Sequence, residues 1–130
     1  MRLSVVIEIR NEIDAEKRRL EKLKAAATAT TKKLDGLPRS KSHSSKVEIA
    51  ALIVDCENRL DRLGGELVDQ SFKLINEIYD RVQSEAATVL CQRYVNLKTF
   101  SEISALMNLS HSYISRLHKN GVKEFENNNQ

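Results

Sequence analysis

Hydrophobic residues recur every three or four positions along the first part of the chain. No Gly or Pro interrupts the stretch from Leu3 to Thr31. Glu16 and Thr30 complete a heptad seam whose other members are apolar: Val6, Ile9, Ile13, Leu20, Leu23 and Ala27. Charged residues lie on the opposite side. The pattern predicts one long amphipathic helix that needs a packing partner.

The chain must turn between this stretch and a second amphipathic one. The segment from Leu34 to Ser44 contains Pro38, the only Pro of the chain, with a Gly and several Ser residues. Such clusters are typical of loops. Ser45 and Glu48 then have the spacing of a capping box, in which two side chains satisfy free backbone N–H groups at a helix start. We therefore expect a loop followed by a helix from Ser45.

The second helix should run to about Gln83. Its heptad seam contains Ile49, Ile53, Cys56, Leu60, Leu63 and Leu67. The apolar stripe then widens, which indicates more than one packing neighbour; the added residues are Val68, Phe72, Leu74, Ile75, Ile78, Tyr79 and Val82. Gly64 and Gly65 cost the helix roughly 2 kcal/mol against two alanines. We expect a bend there, or a backbone contact that only Gly permits.

Two heptad helices joined by a short loop predict a long antiparallel hairpin, similar to a coiled coil. Each helix buries only one seam in such a pair, so much apolar surface stays uncovered. Self-association covers it most simply, and we expect a homodimer. Residues 1–83 are therefore interpreted as a dimerisation hairpin, residues 84–126 as a separate C-terminal domain, and residues 127–130 as a disordered tail.

Three short helices with clear start signals are predicted after the hairpin. Ser84 is a candidate cap for a helix to about Tyr94. Thr99 and Glu102 form a second capping box, and Ser110 is the cap of the final helix. The inward positions of the last two helices are Phe100, Ile103, Ala105 and Leu106, followed by Ile114, Leu117, Val122 and Phe125. The fold class is therefore all-α, with a C-terminal three-helix unit.

The last two helices have the features of a helix-turn-helix. Such a motif needs a small residue where its helices cross, here Ala105 or Ser104, and an apolar residue in the turn, here Leu109. Arg93 is expected either to pair with Glu102 or to contact phosphate. The outward positions of the final helix, which we call the recognition face, are His111, Ser112, Tyr113, Ser115, Arg116 and Lys119.

Charge distribution favours double-stranded DNA as the partner. The net charge of the whole chain is only +3, but residues 86–123 carry five basic residues against one acidic residue, a local charge of +4. Basic excess on one module is typical of DNA binding. We expect Lys98, Lys119 and Lys123 to attract phosphates. His111, Ser112, Tyr113 and Arg116 are expected to discriminate bases.

Composition argues against other classes of protein. Only 5% of the 130 residues are aromatic, which favours helices over a β-sandwich. The sequence shows no paired catalytic carboxylates, phosphate loop or nucleophile motif. We therefore do not expect an enzyme, a bound cofactor or a small-molecule substrate. Cys56 and Cys91 lack metal or redox spacing, and His111 and His118 lie too far apart along a helix to share a metal. No signal peptide or membrane span is recognisable, so a cytoplasmic protein is expected.

The segment from Leu90 to Phe125 resembles the region 4 DNA-binding module of bacterial sigma factors. The matching positions are Leu90, Arg93, Tyr94, Glu102, Ile103, Leu109, Ser110, Ile114 and Leu117. In that family the second, third and seventh residues of the recognition helix, counted from its Ser cap, contact promoter bases. The resemblance implies this role for His111, Ser112 and Arg116.

The whole chain is similar to phage-encoded transcriptional regulators of the ArpU and RinA type, through its hairpin, its Pro38 loop and the run from Arg116 to Lys119. One departure concerns Asn120 and Gly121, where the family has helix formers. This pair is typical of a helix end. The length of the recognition helix beyond Lys119 therefore stays open.

Three functions agree with these features. The first is a sequence-specific transcriptional regulator that inserts the helix starting at Ser110 into the major groove. The second is an interaction protein that docks on RNA polymerase through its sigma-like module. The third is a DNA-recognition subunit of phage packaging, similar to a small terminase subunit, which would form rings rather than dimers.

Overall fold

The protein is all-α throughout the part of the chain that the computed structural model describes, which is residues 1–32 and 39–127, with side chains described for 1–29 and 46–127. Its helices are α1 (Val5–Lys32), α2 (Arg39–Arg81), α3 (Ser84–Tyr94), α4 (Phe100–Met107) and α5 (His111–Asn127). This confirms the predicted fold class, a long helical hairpin followed by three short helices. Among the described helices, none is both long enough and apolar enough for a membrane span.

The second helix begins earlier than its sequence signals suggest. α2 starts at Arg39, so the predicted start at the Ser45 capping box is wrong, as is the loop over residues 39–44. Neither Gly nor Pro occurs between Arg39 and Ser45, so no residue there prevents the helix from extending backwards. The remaining loop positions, 34–38, lie outside the described residues.

The two adjacent glycines neither interrupt α2 nor make a close contact. The helix is continuous through Gly64 and Gly65, and a Cβ added at either position would meet no atom within 4 Å. The predicted backbone contact is therefore wrong for the described chain. Helix propagation through the flanking residues outweighs the low propensity of the pair.

Packing divides the chain into two compact units. The hairpin unit is Ile9–Glu66, and the C-terminal unit combines Met1–Glu8 with the chain from Leu67 onwards. The last turns of α2 therefore pack with the C-terminal helices. The proposed functional division between residues 1–83 and 84–126 stays a prediction.

In the hairpin unit, a glutamate makes polar contacts within the apolar seam. Ile9, Cys56 and Leu63 are buried. The Cys56 thiol donates to Glu16 Oε1 at 3.1 Å, and Arg59 Nη1 lies 3.1 Å from the same carboxylate oxygen. Glu16 thus occupies the seam position that its heptad spacing predicts, with its charge compensated by an arginine of α2.

The core of the C-terminal unit joins the start of α1 to α2, α3 and α5. Its buried members are Val6, Leu74, Ile78, Val82, Ala86, Ala87, Leu90, Cys91, Val95 and Phe125. The widened stripe of α2 is buried only in part, since Val68, Phe72 and Tyr79 are 56%, 66% and 49% exposed. The buried part of that stripe has several packing neighbours, as its width predicts.

Candidate nucleic-acid interface

A backbone N–H group at the start of α3 donates a hydrogen bond to a distant carboxylate. α3 begins at Ser84 itself, and its N-cap residue Gln83 makes no side-chain capping bond. The Gln83 N–H donates to Glu124 Oε2 of α5 at 3.1 Å. The predicted Ser84 cap is therefore wrong, because a side chain 41 residues away accepts from the backbone at this helix start.

Arg93 holds the connection between α3 and α4. Leu97 has a positive φ of 56°, and the Lys98 N–H after it bonds back to the Gln92 carbonyl at 2.9 Å. Arg93 Nη1 donates to the Lys98 carbonyl at 3.1 Å, and its guanidinium lies 5.1 Å from the centre of the Phe100 ring. Arg93 thus braces the loop that leads into the helix-turn-helix.

The predicted capping box at the start of α4 is confirmed. Thr99 Oγ1 accepts from the Glu102 N–H at 3.2 Å, and Glu102 Oε1 accepts from the Thr99 N–H at 3.0 Å. The hydrogen bond from the Thr99 backbone lowers the pKa of Glu102, and the Thr99 side chain and the charge of Lys98 add to this effect. The predicted ion pair between Glu102 and Arg93 is wrong, because the cap engages the carboxylate and Arg93 bonds to the loop.

The turn of the helix-turn-helix is closed by Ser104. Asn108 adopts the left-handed conformation, and its N–H donates to the Ser104 carbonyl, which also accepts from the Leu109 N–H at 3.2 Å. The Ser104 hydroxyl donates to the Leu109 carbonyl. Of the two small residues predicted for the crossing, Ser104 contacts the turn and Ala105 is exposed.

A small apolar cluster anchors the motif from beneath. Val89, Ile103 and Ile114, one from each of the three helices, are fully buried together. The residues packed against them are Phe100, Met107, Leu109 and Leu117. The inward prediction for Ala105 and Leu106 is wrong, and Leu106 is 58% exposed. The cluster takes α4 positions spaced by three and four residues, which leaves Leu106 on another side of the helix.

The final helix starts where predicted and extends further than its Asn-Gly pair suggests. Ser110 Oγ accepts from the Tyr113 N–H at 3.2 Å, which confirms the cap. α5 then continues through Asn120 and Gly121 to Asn127. Gly121 is buried against α3, where an added Cβ would lie 3.2 Å from Leu90 atoms. This glycine therefore permits close helix packing and does not end the helix.

The recognition face is exposed as a whole. His111, Ser112, Tyr113, Ser115, Arg116 and Lys119 are all exposed, and so is Lys123 one turn later. Ile114 on the opposite side of the helix is fully buried. Lys98 lies apart in the loop before α4 and is half-buried. Between His111 and Lys123 the helix carries no carboxylate, so this surface offers hydrogen-bond donors and positive charge to a polyanion.

Four rings, which we call the ring cluster, connect the helices beside this face: Tyr94, Phe100, His111 and His118. Tyr94 stacks on His118 with centroids 5.6 Å apart, and the Tyr94 hydroxyl lies 2.8 Å from His118 Nε2. Phe100 meets His118 edge to face at 5.1 Å and His111 at 6.1 Å. The ring cluster thus reaches from the core of the unit to the first residue of the recognition face.

Burial shifts the pKa values of His118 and Tyr94, the two half-buried titratable rings of the ring cluster. Burial lowers the pKa of His118, and the charge of Arg93 lowers it further. Burial also raises the pKa of Tyr94. Both rings are therefore neutral near neutral pH, which suits a half-buried stack.

Sequence patterns did not identify His118 as part of this cluster. From the sequence alone, His118 is interpreted as a surface or interface residue, and the structure shows it half-buried. The informative signal was its spacing from the buried Ile114 and the half-buried Leu117, which places it on the edge of the inner side of α5. No group of three or more His, Cys, Asp or Glu suited to a metal occurs among the described residues.

Comparison with known families finds one match in this part of the chain. The family model for sigma-70, region 4, matches residues 80–124. Curated proteins and solved structures gave no match. The matched stretch takes in α3, α4 and most of α5, about a third of the chain. Residues 80–124 are therefore similar to sigma-70 region 4, a helix-turn-helix domain of DNA-binding regulators.

Proposed function

We propose that this protein is a sequence-specific DNA-binding transcriptional regulator that inserts α5 into the major groove. The observation that carries the proposal is the exposed, carboxylate-free recognition face on a helix anchored by Ile114. The similarity of residues 80–124 to sigma-70 region 4 supports it independently. The arrangement of α4 and α5 agrees with a recognition helix supported by a preceding helix.

Each part of the surface has a distinct role in this proposal. Arg116 is long and exposed, and its guanidinium suits the paired acceptors on a guanine edge. His111 and Ser112 lie at the start of the helix, where side chains reach base edges, and Tyr113 and Ser115 supply further polar contacts. Lys98, Lys119 and Lys123 neutralise phosphates and set the salt dependence of binding.

A salt titration tests the phosphate contacts. Fluorescence anisotropy with a random-sequence duplex should show affinity that falls linearly with salt on logarithmic axes. Lys119→Ala or Lys123→Ala should reduce that slope by about one unit each. Lys22→Ala is the matched control, because Lys22 is an exposed lysine of α1. Binding that is absent or insensitive to salt would overturn the proposal.

The hairpin is assigned to homodimer formation. The assigned segment is residues 1–83, and support comes from Val68, Phe72 and Tyr79, three large exposed side chains spaced by four and seven residues along the end of α2, in the C-terminal unit. Sedimentation equilibrium should give twice the monomer mass, and Phe72→Asp should give monomers. A monomeric wild-type protein would refute this assignment, and a ring would favour a packaging subunit instead.

The most specific part of the proposal concerns the genome that encodes the regulator and the position of its gene. The combination of a long hairpin with a sigma-like module supports a phage-encoded regulator of the ArpU and RinA type. A location of the gene directly before phage late genes would be expected. RNA polymerase docking is the alternative route, and it predicts polymerase binding that survives the loss of the recognition-face side chains.

A further inference from the structure

Phe100 is clamped between two histidines of the same helix. Its ring meets His111 at the start of α5 and His118 two turns later, each at an interplanar angle of 75°. The guanidinium of Arg93 also lies over this ring, 5.1 Å from its centre. Because Phe100 is the first residue of α4, these contacts fix α4 and α5 together at two separated points.

His118 joins this clamp to α3. Its ring stacks on Tyr94 with an interplanar angle of 20°, and its Nε2 shares a hydrogen bond with the Tyr94 hydroxyl. His118 is half-buried, whereas His111 is exposed. The inner histidine therefore packs within the protein, and the outer one remains available to a ligand.

We propose that His118 is a positioning residue for DNA recognition: it holds Phe100 in place, and Phe100 in turn orients the His111 ring at the start of the recognition face. His118 itself does not touch DNA. The inference rests on the proposed DNA-binding function and adds a residue outside the recognition face to its specificity. Without the His118 ring, Phe100 loses its closest aromatic neighbour and the His111 ring loses its fixed support.

The experiment compares two replacements of similar size. His118→Leu removes the ring, and His118→Phe keeps a ring against both Phe100 and Tyr94. The probes are a duplex enriched from a random library by the wild-type protein and an unselected duplex. We expect His118→Leu to reduce the ratio of specific to non-specific affinity about threefold to tenfold, because a misoriented His111 ring loses part of one base contact. His118→Phe should restore most of the ratio.

Two further readouts separate positioning from a direct contact. The salt dependence of non-specific binding should be unchanged in His118→Leu, because no phosphate contact is lost. In a double-mutant cycle, His118→Leu should cost little additional discrimination in a His111→Ala background, since both changes act on one contact. Additive losses, or unchanged discrimination in His118→Leu, would overturn the proposal.

The free protein provides an independent check. Nuclear Overhauser contacts between the Phe100 and His111 rings should be strong in the wild-type protein and in His118→Phe, and weak in His118→Leu. If His118→Leu does not fold, His118→Gln takes its place. A wild-type protein that does not bind DNA removes the proposed function, while the ring contacts still decide whether His118 orients His111. Strong contacts in the variant without the ring would refute the positioning role.

Discussion

Gly121 provides the sharpest test of the packing between α3 and α5. A Cβ at this position would lie 3.2 Å from both Cγ and Cδ1 of Leu90 and 3.3 Å from Cβ of Ala86. Leu90 is fully buried and Ala86 is 4% exposed, so neither neighbour has free space to move into. Gly121→Ala therefore introduces one methyl group into a filled interface.

Two opposing terms set the magnitude. Replacing Gly by Ala inside a helix gains about 1 kcal/mol of helix propensity. Adding a methyl group to a packed core costs about 1 to 3 kcal/mol. The cost should prevail here, because the nearest atoms include the branch point of an enclosed leucine. We expect Gly121→Ala to lower the free energy of unfolding by about 1 kcal/mol.

Urea denaturation followed by far-UV circular dichroism measures this change. A loss of about 1 kcal/mol corresponds to a fall in melting temperature of about 4 °C for a chain of this size. Gly64→Ala and Gly65→Ala are matched controls, since each adds the same methyl group to a helix where it meets no atom within 4 Å. Each control should stabilise the protein by about 0.8 to 1 kcal/mol.

The sign of the change in unfolding free energy for Gly121→Ala tests whether α5 packs closely against α3. If Gly121→Ala stabilises the protein as much as Gly64→Ala does, then α5 does not approach α3 as closely as described. The same result would also argue against a helix end at Asn120-Gly121, because Ala destabilises a position that requires the left-handed conformation of a C-terminal cap.

Three further predictions concern the cap of α4, the pH dependence of stability and the cysteines. Thr99→Ala should cost about 1 kcal/mol of stability in urea denaturation, because it removes the capping bond to Glu102; Thr28→Ala, at an exposed hydroxyl of α1, is the control. Because the pKa of Glu102 is lowered in the folded state from its ordinary value of 4.5, the Glu102 carboxylate stabilises the fold at pH values above 4.5. This stabilisation is lost as the pH falls from 4.5 through the lowered pKa. A free energy of unfolding that does not fall below pH 4.5 would contradict this prediction. Burial raises the pKa of the Cys91 thiol to about 11, and burial and the hydrogen bond to Glu16 raise the pKa of the Cys56 thiol. Thiol reagents at mildly alkaline pH should therefore modify both cysteines only after denaturation. Fast modification of the native protein would contradict this prediction.

Local signals predicted the helix starts when the backbone N–H groups had no other partner. Thr99 and Ser110 cap their helices as their spacing predicts. Ser45 lies inside α2 and Ser84 is the first residue of α3, so neither residue precedes its helix as predicted. At Ser84 a carboxylate of α5 accepts from the adjacent backbone, and at Ser45 the helix has already begun. Tertiary contacts and helix propagation decided these two cases, and neither is encoded in a four-residue pattern.

Apolar spacing identified the core better than it identified the surface. The inward positions of α5 were predicted correctly, but Leu106 and Phe72 are exposed, because a short helix or a wide stripe offers more apolar positions than its neighbours cover. The ring cluster could not be predicted, since Tyr94 and His118 are 24 residues apart and meet only through the arrangement of three helices. Gly121 was ambiguous for the same reason, because its close approach to Leu90 depends on the distance between α3 and α5.

The most direct test of DNA recognition by α5 is selection of duplexes from a random library by the wild-type protein and by Arg116→Ala, with Arg62→Ala, an exposed arginine of α2, as the matched control. The proposal predicts that the wild-type protein and the control enrich the same motif. Arg116→Ala should bind that motif about 1 to 3 kcal/mol more weakly and lose preference at one base position. Identical motifs and affinities for all three proteins, or no enrichment by the wild-type protein, would contradict the assignment of the recognition face.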